Sequence, residues 1–180
     1  MSDVAIPDDI QALVDAKNQW LYSQVEVEFP TPESLQGLAI YQAINVDLVT
    51  EPLTLALTPS QLQLESVYLV DFHRLTIMFS LLQATRCLDH TQQSLLVEFF
   101  TQIIYSEPCH LLLGFADGEP VAAAILTCND TSLLVSDIVL KDNAVFHTTN
   151  DFIATLTCFW GQQHSLPTQI YIERELANSP

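Results

Sequence analysis

The chain has 180 residues, 49% of them hydrophobic and 15% charged, with a mean hydropathy of +0.26. Five Lys and Arg stand against 22 Asp and Glu, which gives a formal charge of −17 and a pI near 4.2. That apolar content suffices for a core and excludes a disordered chain. The cations Lys17, Arg74, Arg86, Lys141 and Arg174 are scattered, whereas nucleic acids and anionic membranes are held by clustered Lys or Arg.

The longest apolar runs, such as 121–126, fall well short of the roughly 20 residues of a membrane span. The start of the chain shows no positively charged segment leading into an apolar run. Cys87, Cys109, Cys128 and Cys158 stand far apart in apolar surroundings, the usual setting of reduced core thiols. The expectation is a cytoplasmic protein with one globular domain, divided into an N-terminal extension over 1–60 packed on a main domain over 61–180.

In chain order, Pro7 followed by Asp8 and Asp9 opens a helix in which Ile10, Leu13, Val14 and Leu21 recur at helical spacing up to about Tyr22. Val25, Val27 and Phe29 alternate with Glu26 and Glu28, which predicts a half-buried strand stopped by Pro30. Thr31 caps a second helix with Pro32 at its first position. Leu53, Leu55 and Leu57 alternate again. After Thr58-Pro59, the run 66–72 predicts a buried strand. Helices follow from Leu75 and from about Asp89 or Thr91, the second carrying Leu95, Leu96, Phe99, Ile103 and Ile104.

Leu111, Leu113 and Phe115 alternate up to Asp117-Gly118, the strongest short hairpin signal in the chain, and Val121, Ala123 and Ile125 alternate away from it. A third strand spans 133–140 and is apolar on both sides, so it is expected to be central. Thr148 with Asp151 three residues on forms a capping box for a helix bearing Phe152, Leu156, Phe159 and Trp160. A last strand, 169–173, alternates Ile170 and Ile172. A strand, a helix and a strand of these lengths make a right-handed crossover with parallel strands.

The order of strand, two helices, hairpin plus third strand, helix and strand over 66–175 resembles the GNAT superfamily of acyl-CoA N-acyltransferases. The best local match is LLLGFADGEPVAAAIL at 111–126, similar to the family's second and third strands with their Asp-Gly turn. The resemblance implies an α/β (α+β) fold, a GNAT-like mixed sheet flanked by helices, here with an N-terminal helical extension. Residues 7–57 either complete the sheet from the other end of the chain or form a separate lobe. The family usually continues past its fifth strand with a helix, often bearing a general-acid Tyr, and a hairpin; this sequence ends at Pro180.

The resemblance further implies that acetyl-CoA or another acyl-CoA lies along Val139 to Lys141, with its pyrophosphate on the amides of Phe146, His147, Thr148 and Thr149 at the following helix start. A helix N-terminus offers unpaired N–H groups and a positive dipole end for such a group. The family's Arg/Gln-x-x-Gly-x-Gly/Ala motif is replaced by Asn143-Ala144-Val145-Phe146-His147-Thr148, without its glycines, which marks a divergent member. Asp137 interrupts the apolar strand, and burial of its carboxyl raises the pKa toward that of a general base for an amine.

Cys87 with His90, and Cys109 with His110, fit no standard zinc spacing, so no metal is expected. The functional expectation is acyl transfer from acyl-CoA to a small-molecule amine. The alternative is a non-catalytic acidic interaction module that keeps the fold without the cofactor and captures a basic protein partner by charge. Neither reading involves nucleic acid or membrane.

Overall fold

A computed structural model of the chain describes residues 7–54 and 57–175. Helices α1 (Asp8–Ser23) and α2 (Pro32–Ile44) precede strand β1 (Leu48–Pro52). Next come α3 (Gln61–Glu65), β2 (Val67–Leu69), α4 (His73–Ala84), α5 (His90–Phe100), β3 (Cys109–Ala116), β4 (Glu119–Cys128), β5 (Ser132–Leu140), α6 (Thr149–Gln163) and β6 (Gln169–Glu175). The six strands form one mixed sheet in the order β1-β6-β5-β4-β3-β2. Only β5 and β6 pair in parallel; every other neighbouring pair is antiparallel. The chain is therefore a mixed α+β protein with β5 and β4 at the centre of its sheet, β5 being joined to β6 through α6.

Local signals set the ends of these elements. Thr31 Oγ1 accepts the Ser34 amide and Asp89 Oδ1 accepts the Gln92 amide, so two helix starts are closed by short polar side chains. Thr148 and Asp151 complete a reciprocal capping box at α6. Asp117 and Gly118 both have positive φ, 51° and 79°, as a two-residue hairpin turn with the twist of its strands requires.

Two apolar layers sandwich the sheet. On one face, α1, α2, α4 and α5 bury Leu21, Tyr41, Phe79, Leu96, Phe99 and Phe100 against Leu111, Leu113, Ala123 and Ile125. On the other, α6 buries Phe152, Leu156 and Trp160 against Leu112, Leu126, Leu133 and Val135, and Phe146 joins them. Gly37 is where α2 crosses α5: a β-carbon there would sit 2.1 Å from the Leu95 carbonyl oxygen.

Three sequence expectations need correction. Residues 25–29 form no strand: the chain turns after α1, Val25 is buried, and Val27 and Phe29 are exposed. Three alternating residues without a neighbouring strand edge make no ladder. The strand expected around Leu53 to Leu57 lies earlier, at Leu48–Pro52, where it adds an edge to β6; the Leu53 amide still donates to the Ile170 carbonyl, and Leu55 lies outside the described residues. The strand expected over 66–72 is the short edge strand β2, buried at Val67 but exposed at Tyr68 and Leu69.

Among the described residues, no helix is long and apolar enough to cross a membrane, and all four cysteines are unpaired.

Candidate functional site

The alternation of β5 breaks at Asp137. Between Ala123 and Ile125, β4 advances two residues while β5 advances three, from Ser136 to Val139. The additional residue is Asp137, whose φ of +52° lies in the left-handed region, which makes it the centre of a β-bulge. The bulge reverses the parity of the strand. Leu133 and Val135 face α6 before it, and Ile138 and Leu140 face α6 after it. Asp137 itself is turned toward α1, α2 and α4.

There it meets a buried polar network. Tyr41 on α2 donates to Asp137 Oδ1 at 2.8 Å, and Ser136 donates to Oδ2 at 2.8 Å. Lys17 Nζ on α1 lies 3.5 Å from Asp137 Oδ2 and donates at 2.6 Å to Glu173 Oε1 on β6. Arg86, just past the end of α4, lies 3.4 Å from Asp137 Oδ1 and also donates to Asn45 Oδ1. Gln83 donates to the Asp137 carbonyl at 2.6 Å. Lys17, Tyr41, Gln83, Asp137 and Glu173 are all buried.

These charges set one another's proton affinities. Burial pushes the Asp137 carboxyl up, but Lys17, then Arg86, and the hydrogen bonds from Tyr41 and Ser136 outweigh it, so the pKa lies below the ordinary value. The raised pKa expected from burial alone is thus reversed, because the sequence does not reveal that two cations accompany the carboxylate inside. Burial also dominates at Glu173, where Lys17 only partly compensates and the pKa is raised. Burial disfavours the Lys17 ammonium, yet Asp137 and Glu173 together hold its pKa above the usual value. The Tyr41 phenol is pushed well up by burial and by Asp137.

Two of the five cations and two of the 22 acids neutralise one another here, so the −17 charge of the chain is carried entirely outside the network.

Beside the network the sheet opens. The parallel ladder of β5 and β6 ends at the Val135 and Ile172 pair. Past it the strands part around a cleft of about 420 Å³, bordered by Asp137, Ile138, Glu173, Arg174, Arg86 and the first turn of α6 at Thr149 and Asn150. A larger apolar groove, about 640 Å³, lies at the other edge of the sheet beside Tyr68, Phe72 and Phe115.

The expected cofactor residues divide between interior and surface. Val139 is buried in the α4/α5 layer, and Phe146 is buried against Phe152, with ring centroids 5.1 Å apart. Lys141, His147, Thr148 and Thr149 are exposed. Asn143 Oδ1 accepts the Val145 and Phe146 amides, and Asp151 Oδ2 accepts the Thr148 amide. Of the helix-start donors, those of Phe146 and Thr148 are thus engaged internally, one of them by a carboxylate.

Cys87 and His90 do not join Cys109 and His110 in any set of ligating atoms among the described residues.

Sequence reasoning missed Lys17, Tyr41, Arg86 and Glu173 as site residues. One signal was available: Lys17 lies on the stripe formed by Ile10, Leu13, Val14 and Leu21, a lone cation on the apolar face of an acid-rich helix. No family model matches the chain, and no curated protein is similar to it in sequence.

Proposed function

We propose that the chain binds an acyl-CoA in the cleft between β5 and β6 and transfers its acyl group to an amine, the activity that the resemblance to acyl-CoA N-acyltransferases implies. The observation that carries this reading is the cleft itself. The parallel ladder of β5 and β6 stops at Val135 and Ile172, and past it the strands border the cleft, where backbone no longer engaged in the ladder needs other partners; the Asp137 carbonyl has one in Gln83. The pantetheine arm of CoA is an extended chain with two amides, the chemistry that a parted pair of strands can complete. Arg86 and Arg174 stand at the cleft, each already paired with a carboxylate of the chain, Asp137 and Glu51.

In the reaction, the amine nitrogen attacks the thioester carbonyl. A C–N bond forms, the C–S bond breaks, CoA leaves as thiolate, and the nitrogen gives up a proton. Asp137 is a poor acceptor, since two cations and two hydroxyl donors stabilise its charge. Glu173, on the cleft wall with a raised pKa, is the better-matched base, and Asp137 holds the Lys17 ammonium beside it. Calorimetric titration with acetyl-CoA is the test: binding should survive Glu173→Gln while acetyl transfer to an amine is lost. Absence of heat at millimolar acetyl-CoA would refute the reading.

A second reading, a non-catalytic acidic module binding a basic partner, is favoured by one feature. Asn143 and Asp151 already occupy amides at the start of α6, and Asp151 adds negative charge where a pyrophosphate would sit. Saturable, salt-sensitive binding of a Lys/Arg-rich peptide, without binding of acetyl-CoA, would select it.

A further inference from the structure

At the end of the sheet away from the Asp117-Gly118 turn, β3 begins and β4 ends side by side, with Cys109 opposite Thr127 and His110 opposite Leu126. Cys128 is therefore a diagonal cross-strand neighbour of His110, and the two residues share a sheet face. A turn closed by the bridge between Ser106 and Cys109 leads into β3. It folds Glu107 back until its Oε2 lies 3.3 Å from His110 Nε2. The Cys128 amide donates to the Pro108 carbonyl at 3.2 Å, which docks the end of β4 on the same turn. One ligand atom each from Glu107, His110 and Cys128 lies within 4.8 Å of the other two.

We infer that Glu107, His110 and Cys128 form a binding site for a divalent transition-metal cation, with Zn²⁺ the fitting ion. The donors are a carboxylate oxygen, an imidazole nitrogen and a thiolate sulfur, the three ligand types zinc takes from proteins. Zinc bonds of about 2.0 to 2.3 Å place adjacent corners of a tetrahedron roughly 3.3 to 3.8 Å apart. The Glu107–His110 separation of 3.3 Å already meets that spacing, and the sulfur must close by no more than about 1.5 Å to reach it.

The site is partly organised in advance. The His110 ring packs on Trp160 with centroids 4.6 Å apart, and Cys128 is half-buried on a strand. Only the Glu107 side chain, 76% exposed, gives up freedom on binding. Three protein ligands leave a coordination position for water, the ligand count of open rather than closed zinc sites. The strongly acidic surface concentrates cations around the molecule. Local spacing conceals the site, because its thiol comes from the far end of the hairpin's second strand rather than from a knuckle.

The test is titration of the reduced, chelator-treated full chain with Co²⁺. One equivalent should produce a thiolate-to-cobalt charge-transfer band in the near ultraviolet, and Zn²⁺ should displace it. Cys128→Ser should abolish the band. Cys109→Ser should retain it, since the Cys109 thiol bonds Thr127 in the opposite layer. Glu107→Gln, at an exposed side chain, and His110→Ala should each weaken Co²⁺ binding at least tenfold. Absence of the band in the wild type, or its persistence in Cys128→Ser, would overturn the assignment. If Cys128→Ser loses its circular dichroism, unchanged affinity in Glu107→Gln and His110→Ala would overturn it equally.

Discussion

Lys17→Met isolates the buried ion network, because it keeps most of the methylene stem and removes only the charge. The ammonium lies 2.6 Å from Glu173 Oε1 and 3.5 Å from Asp137 Oδ2, with 1% of its side chain exposed. At an effective dielectric of about 20, these separations correspond to gross attractions of about 6 and about 5 kcal/mol, set against the desolvation of three charged groups. Removing one partner of such a set costs about 3 to 5 kcal/mol, since it strands buried carboxylates. Urea unfolding at pH 7 should register that loss, equivalent to a fall in Tm of about 10 °C for a chain of this size. Lys17→Met combined with Glu173→Gln should recover part of it, because only Asp137 then stays charged, and Arg86, Tyr41 and Ser136 still partner it. A loss below about 1 kcal/mol, the worth of an exposed ion pair, or a double variant no better than the single one, would refute the network as described.

Alkaline pH should act on the same region. Lys17, Tyr41 and Cys109 all have raised pKa values, Cys109 at about 12. Their contributions are complete below the ordinary values of 10.5, 10.0 and 9.0 and are lost as pH rises through the folded values. Stability measured by urea unfolding should therefore decline from about pH 9 upward. On the acid side, Asp137 contributes above its unfolded value of 3.8 and loses that contribution only as pH falls through its lower folded value. Gly37→Ala should destabilise by at least about 2 kcal/mol despite the better helix propensity of Ala, because the Leu95 carbonyl cannot move aside. Asp151→Asn should cost about 1 kcal/mol in thermal unfolding through its weakened cap, yet tighten acetyl-CoA binding by removing a carboxylate from the first turn of α6; weaker binding would count against the cleft as the cofactor site.

Much of the fold was legible because it depends on local chemistry. Thr31-Pro32, Thr148 with Asp151, and Asp117-Gly118 act within four residues, and each marks the boundary the structure has. The doubly apolar 133–140 identified a central strand, and the length of α6 set the parallel crossover. Pairings between distant segments were not legible. Nothing local says that Leu48–Pro52 joins β6, or that Val25 to Phe29 finds no strand.

The site was legible only as a position. Asp137 stood out as a charge in an apolar strand, but its chemistry depends on Lys17, Tyr41 and Arg86, which are brought to it by a bulge that no residue type announces. The gathering of Glu107, His110 and Cys128 has the same origin, since strand register rather than spacing assembles it.

Amide hydrogen exchange with and without acetyl-CoA tests the assignment of the cleft most directly. Saturating ligand should slow exchange in peptides spanning 136–141 and 171–175 and at the first turn of α6, and leave the groove beside Tyr68 and Phe115 unchanged. Unaltered exchange in those segments, or protection confined to the Tyr68 and Phe115 groove, would contradict it.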